Sequence, residues 1–397
     1  QVSGWSLPAI FFGLFIIGLI TFGAATILMG WRLYGSWWTV AVLTLGVTLR
    51  HRISLTAVNT LESYLHPRML AFAVGVTALA VFIRGRPWIA LLIATTATFL
   101  HPTTALWFLI VLSVAVVVTE QPLPRPALLG ILVGTPLALW TVIPMVRNQL
   151  VVMDDAWLSL LEHKSYLFAA NWTWAAWLAN MGTAAIVAAV YLYRRSTGIA
   201  SERETGIVIG CTALLLIFLV SLPLVDLRLA LAVQLQAGRI FWLLDFMAVA
   251  SLAWLLTESK IWAYLSLSPS SAKRIVTLIV ALATLTRGIY VTFVEHPERP
   301  FVSVNSADSH WIRAMNWVAQ TDPGTHLLAD PAHAWRHGTS VRVSGQRDVY
   351  LEEVKDPAMA IYSRAVAQRV LERIHDLGPF ETLTTKRAHL LADKYDL

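Results

Sequence analysis

Ten apolar stretches, separated by polar turns, run through the first three quarters of the chain. A backbone that passes through lipid must satisfy its own hydrogen bonds, and a helix of about 20 apolar residues spans the hydrocarbon layer. The stretches read as spans at 8–29, 37–48, 69–83, 88–100, 104–118, 127–146, 172–192, 206–225, 240–256 and 275–293. The second to fifth are short, which fits tilted or neighbour-covered helices. Charged residues make up 14% of the chain and mean hydropathy is +0.63, whereas a soluble domain is about a quarter charged. Tryptophans such as Trp31, Trp37, Trp88, Trp172 and Trp262 flank the stretches, as in an interfacial belt. The expected architecture is mainly α: a polytopic helical bundle over 1–294, then an extracytoplasmic α/β domain over 295–397.

Net charge divides along the same boundary. Residues 1–294 carry 18 Lys and Arg against 10 Asp and Glu, and residues 295–397 carry 12 against 14. The slightly acidic tail excludes a nucleic-acid surface. If 30–36 is cytoplasmic, ten basic residues fall in inside loops and seven in longer outside loops. The clusters "RGR", "YRR" and "SAKR" are all inside, and the tail is outside. An outer tail after ten spans puts Gln1 outside as well. A further helix and outer loop are therefore expected upstream, with a cleaved signal peptide as the competing account, and the tail reads as stopping in mid-unit. Cys211 is the single cysteine, so an intrachain disulfide and a cysteine metal site are excluded.

Four outer segments carry the informative polar residues. "RHRISLTAVNTLESYLHPR" brings Glu62, His66 and Arg68 to the start of a span: arginine suits phosphate, and a carboxylate can serve as acid or base. "FLHPTT" places His101 before a proline turn. In "MDDAWLSLL" the adjacent Asp154 and Asp155 point about 100° apart on a helix, so they suit a helix start better than an ion. "DLRLALAVQLQAGRIFWLLDF" carries Arg228, then Arg239 at a span mouth, then Asp245 inside the span, where an acid needs a partner or a wet cavity. Arg287 in the last stretch can snorkel outward. No P-loop, GxGxxG or HExxH occurs.

In the tail, Trp311, Met315 and Val318 share one helical face, with Asp308 as the expected cap. "VRVSGQRDVYLE" alternates like a strand, and "AMAIYSRAVAQRVLERIHDLG" reads as one amphipathic helix ending at Gly378.

Taken together, "ESYLHPRMLAF…TFLHPTTALWFLIVL", "QLQAGRIFWLLDF" and the tail "WIRAMNWVAQTDPGTHLLADP…VRVSGQRDVYLEEVKDP" resemble bacterial polytopic proteins of the GT-C glycosyltransferase superfamily, over about residues 62–357. The resemblance rests on pattern and order. It implies transfer of a sugar from a polyprenyl-phosphate donor to an acceptor on the outer face of the bacterial inner membrane. Arg239 first, and Arg68 second, would hold the lipid phosphate, with His66, His101 and Arg228 beside the substrate. A divalent ion can assist the departing phosphate, and other membrane subunits are possible partners. The family's catalytic acid lies in the first outer loop, upstream of this sequence. Glu62 is the remaining candidate. Two other readings compete: a non-catalytic GT-C-like subunit of a larger complex, and a lipid-linked sugar transporter or flippase.

Overall fold

The computed structural model describes residues 7–120, 148–265, 268–297, 302 and 309–397. Contacts divide the chain into two units: 1–147, 165–226 and 235–302 form the first, and 148–164, 227–234 and 303–397 the second. The chain is mainly helical. In order, the described helices up to residue 290 are α1 (Leu7–Tyr34), α2 (Trp37–Thr48), α3 (Pro67–Ile83), α4 (Pro87–Thr96), α5 (Pro102–Thr119), α6 (Asp155–Ser159), α7 (Trp174–Ser196), α8 (Glu202–Asp226), α9 (Ala230–Leu235), α10 (Phe241–Glu258) and α11 (Pro269–Tyr290).

Among the described residues six helical segments are long and apolar enough to cross a membrane: α1, α5, α7, α8, the run Ala230–Glu258 and the run Pro269–Glu295. This is the make-up of an integral membrane protein. The stretches at 37–48, 69–83 and 88–100 fold into shorter apolar helices. The expected span at 127–146 lies outside the described residues.

In the first unit, α10 is central and α11 peripheral: 78% of the most apolar window of Ala230–Glu258 is buried, against 6% for Pro269–Glu295. Trp242 of α10 stacks on Phe72 of α3 at 4.1 Å between ring centroids, and Phe22 and Phe246 close around the same ring. Between lipid-bathed helices the hydrophobic effect gives little attraction, so close approach at small residues carries the packing. Gly206 and Gly210, one turn apart on α8, lie against Ala115 and Val111 of α5. A Cβ at Gly210 would sit 2.6 Å from the Val111 carbonyl oxygen.

One end of this unit collects ion pairs. Arg194 bonds Glu204 through Nε at 2.6 Å and a terminal nitrogen at 2.9 Å, between the rings of Tyr34 and Trp254. Arg203 reaches Glu120 at 2.7 Å and the Phe82 carbonyl at 3.1 Å. Lys273 pairs with Glu258 at 2.6 Å, and Ser36 donates to the same carboxylate. The opposite end holds the hairpin of β1 (Arg52–Ile53) and β2 (Val58–Asn59), where Asn180 of α7 donates to the Ser54 carbonyl at 2.9 Å.

The second unit is built from three pieces of chain. Segments 148–164 and 227–234 pair antiparallel through Met153 N–H to Arg228 O at 2.9 Å and Ala230 N–H to Val151 O at 2.8 Å. Trp157 donates its indole N–H to the Ala360 carbonyl at 2.8 Å. Gln234 donates to Gln149 at 2.7 Å and to the Ile361 carbonyl at 3.1 Å. Asp154 caps α6 by accepting from Trp157 N–H at 2.8 Å, the helix-start role read from its sequence.

Beyond residue 303 the described helices are α12 (His310–Val318), α13 (His333–His337), α14 (Asp356–Ala360), α15 (Arg364–Leu377) and α16 (Thr385–Tyr395). Met315 and Val318 of α12 are buried with Val341 and Val349, and Trp311 packs against them. Ser309 caps α12; Asp308 lies outside the described residues. The sheet here is one parallel pair, β3 (His326–Leu327) with β4 (Asp348–Val349). The alternating "VRVSG" forms a π-helical turn instead of a strand, because Gly345 packs against Val318 and Met315 and Gln346 turns left-handed at φ 51°. The long amphipathic helix divides into α14 and α15, since the Ser363 hydroxyl accepts from Val366 N–H and starts a new helix.

Candidate functional site

Two His-Pro pairs build the site's walls. Proline fits the first helical position, and the residue before it is pushed to extended backbone. His66 and His101 both obey this, with φ −131° and −157°, and both cap the helix that follows. His66 Nδ1 accepts from Arg68 N–H at 3.2 Å; His101 Nδ1 accepts from Thr104 N–H at 3.3 Å and lies 2.9 Å from the Thr104 hydroxyl. An Nδ1 that accepts from a backbone N–H carries no proton, so each ring bears its proton on Nε2 and is a donor there. The rings meet edge to face, 6.2 Å apart.

Arg68 follows in the first turn of α3 and is buried. It donates to Glu62 Oε1 at 2.5 Å, and Asn59 donates to Glu62 Oε2 at 3.0 Å. Glu62 is 1% exposed with both oxygens bonded. It is the counter-charge that holds Arg68, and the geometry does not present it to an acceptor as a base.

Arg239 sits in the short 3-10 turn Ala237–Ile240 that leads into α10. Gln236 enters the turn left-handed at φ 52°, and Arg239 N–H closes it on the Gln236 carbonyl at 2.9 Å. Gly238 is required there: a Cβ would lie 2.8 Å from the Trp172 ring. The guanidinium carbon stands 5.1 Å from the Tyr166 ring centroid, a cation–π placement.

Burial first, then the Arg68 charge, holds the His66 imidazole down at about 4, with His101 and Arg239 adding to the effect and Glu62 opposing it. Burial, then Arg239 and Arg68, does the same to His101, also to about 4. Both rings are therefore neutral donors at neutral pH. The five residues Glu62, His66, Arg68, His101 and Arg239 share one electrostatic neighbourhood at the N-termini of α3 and α5. Helix N-termini carry partial positive charge, and with two guanidiniums the cluster suits an anion.

The lowered values set a pH dependence. The unfolded chain binds protons at these two histidines below 6.5, whereas the folded chain does not until about 4. Stability therefore falls as pH drops through that window. Thermal unfolding in detergent should show that slope. Replacing both histidines by asparagine, a cap that does not titrate, should flatten it; an unchanged slope in that variant would refute the assignment.

The other expected residues lie elsewhere. Arg228 belongs to the second unit, at φ 60°, and pairs with Asp155 at 2.5 Å in an exposed ion pair, apart from the cluster. Arg287 pairs with Glu295 at 3.0 Å. Cys211 is a buried free thiol. Asp245 pairs with His51 at 3.0 Å. His51, Asn59, Thr104 and Tyr166 were not picked out from sequence. For His51 a signal existed, since a carboxylate inside a span demands a partner. Among the described residues no three His, Cys, Asp or Glu side chains stand close enough to hold a metal, so they do not fit the divalent ion that the resemblance suggests, and no step is assigned to one.

Fold and cluster together define a class: a multi-pass helical membrane protein with a cationic, histidine-walled cluster at helix N-termini. Compared with protein-family models, curated proteins and solved structures, the chain matches none.

Proposed function

We propose that the cluster binds the phosphate of a polyprenyl-linked sugar, and that the protein is a GT-C-like membrane glycosyltransferase with ten spans and an extracytoplasmic α/β tail in a bacterial inner membrane. The observation that carries this is the convergence of Arg68, Arg239 and two neutral Nε2–H imidazoles at the starts of α3 and α5. In the reaction, an acceptor hydroxyl forms a bond to the sugar's anomeric carbon as the bond from that carbon to phosphate oxygen breaks. The hydroxyl proton passes to a base, and the negative charge on the departing prenyl phosphate is met by the guanidiniums. No described residue is assigned as that base. The Glu62 geometry favours one alternative, in which the same fold binds the lipid phosphate as a non-catalytic subunit of a larger membrane complex.

The test is binding of a long-chain prenyl monophosphate to the protein in nanodiscs. Arg239→Ala should weaken binding by about tenfold to a hundredfold, the worth of a charge-assisted hydrogen bond. Arg239→Lys should restore part of it, since an ammonium lacks the two-pronged geometry. Equal affinity for the uncharged prenol, or for the alanine variant, defeats the proposal. Acceptor-dependent release of prenyl phosphate from a sugar-charged lipid then separates enzyme from subunit.

A further inference from the structure

His51 and Asp245 lie outside the phosphate cluster, and their geometry is unusual. His51 Nε2 faces Asp245 Oδ1 at 3.0 Å, and its Nδ1 faces the Leu49 carbonyl oxygen at 3.2 Å. A carbonyl oxygen brings no proton, and neither does a carboxylate. Both ring nitrogens must then donate, which a neutral imidazole cannot do. Asp245 is nine-tenths buried in the first turns of α10, and its Oδ2 has no hydrogen-bond partner among the described residues. A buried carboxylate with one oxygen unsatisfied has a strong need of a cation.

We propose that His51 is held as an imidazolium by Asp245, and that this ion pair is a latch positioning the β1–β2 hairpin, and through it Glu62 and Arg68, against α10. The path is continuous. His51 N–H donates to the Thr60 hydroxyl at 3.1 Å, and Thr60 N–H donates to the His51 carbonyl at 3.1 Å. Arg52 pairs with Asn59 across the hairpin. Asn59 holds Glu62 at 3.0 Å, and Glu62 holds Arg68 at 2.5 Å. The hairpin turn needs holding. Leu55 and Ala57, both with a Cβ, sit at φ 55°, a left-handed conformation that side chains with a Cβ disfavour. Such strain persists only where surrounding contacts over-determine it.

The charged groups around His51 are few. Its own segment carries Arg50 and Arg52, β2 presents the uncharged Asn59 with Thr60 just after it, α7 presents the uncharged Asn180, and α10 presents Asp245. Asp245, chiefly by its hydrogen bond, raises the imidazole above its ordinary value against the opposing effect of burial. The sign is opposite to that at His66 and His101. The latch is complete below 6.5 and is lost as pH rises through the raised value.

The latch concerns the protein without bound prenyl phosphate, so its test needs no such ligand and stands apart from the phosphate reading. Imidazole nitrogen spectra of 15N-histidine protein in nanodiscs, with His51 assigned by its absence in His51→Gln, should show both nitrogens protonated at pH 6.5. A singly protonated ring there overturns the proposal. Asp245→Asn should lower the titration of His51 and speed amide exchange over residues 52–60 by about tenfold or more, as local opening becomes easier. His51→Lys, which keeps the cation, should retain more protection than His51→Gln. Unchanged exchange over 52–60 in a folded Asp245→Asn protein overturns the positioning role.

Discussion

Gly210→Leu should abolish the folded membrane unit. The α5–α8 contact is made backbone to backbone, and a Cβ at this position meets the Val111 oxygen at 2.6 Å and its Cα at 2.9 Å. Neither atom can swing aside as a side-chain tip does. The helices would have to separate, and with them the packing that Ala115 and Thr119 make against Gly206. Gly210→Ala, the smallest change, should still cost at least the roughly 1–3 kcal/mol typical of overpacking. Gly182 on α7 is the internal control, because a Cβ there meets nothing within 4 Å. Gly182→Ala should be neutral or slightly stabilising, as expected for glycine replaced within a helix. Detergent-solubilised yield and thermal midpoint read both outcomes. Equal behaviour of the two alanine variants would show that the α5–α8 approach does not carry the fold.

The second large effect is at Arg68 and Glu62. Arg68→Met leaves the Glu62 carboxylate buried with one hydrogen bond, from Asn59. Glu62→Leu leaves a buried guanidinium whose carboxylate partner has gone. Stranding one member of a buried pair costs about 3–5 kcal/mol, whereas replacing both by apolar residues is often neutral. The double variant should therefore regain most of the stability that either single variant loses, so the two single losses together should exceed the double loss by about 5 kcal/mol or more in chemical unfolding. Additive losses would mean that the two charges do not depend on each other. Stability regained in the double variant should not bring back prenyl-phosphate binding, since one of the two guanidiniums has been removed.

Local features of this fold were legible where a local rule acts alone. The described apolar stretches are helices because lipid leaves a backbone few other choices. The helix start at Asp154 and Asp155 followed from capping, whereas the helices expected from 69 and 104 begin two residues earlier, at Pro67 and Pro102, where proline suits the first helical position. Glu62, His66 and Arg68 were seen as neighbours, and Arg239 as a span-mouth arginine, because each stands beside an apolar run. What sequence hid was partnership at a distance. His51 and Asp245 are 194 residues apart, and nothing near either names the other. Arg228 looked like a twin of Arg239, and only tertiary structure gives it to Asp155. The strand pattern in "VRVSGQRDVYLE" held only at Asp348–Val349, while "VRVSG" turns as a π-helix against Val318 and Met315. The recruitment of 148–164 and 227–234 into the second unit was equally hidden, since their partners come later in the chain.

That recruitment sets a timetable for synthesis. Leu160 packs in one cluster with Leu391 and Leu397. At about 5–20 residues per second, a ribosome needs roughly 10–50 s to travel from one to the others. Throughout that interval Met153, Trp157 and Leu161 have no finished core to enter, while apolar helices are still being inserted around them. A nascent chain of this design exposes a sticky segment early and covers it late, which makes that segment a natural mark by which a chaperone or protease can tell an unfinished molecule from a finished one.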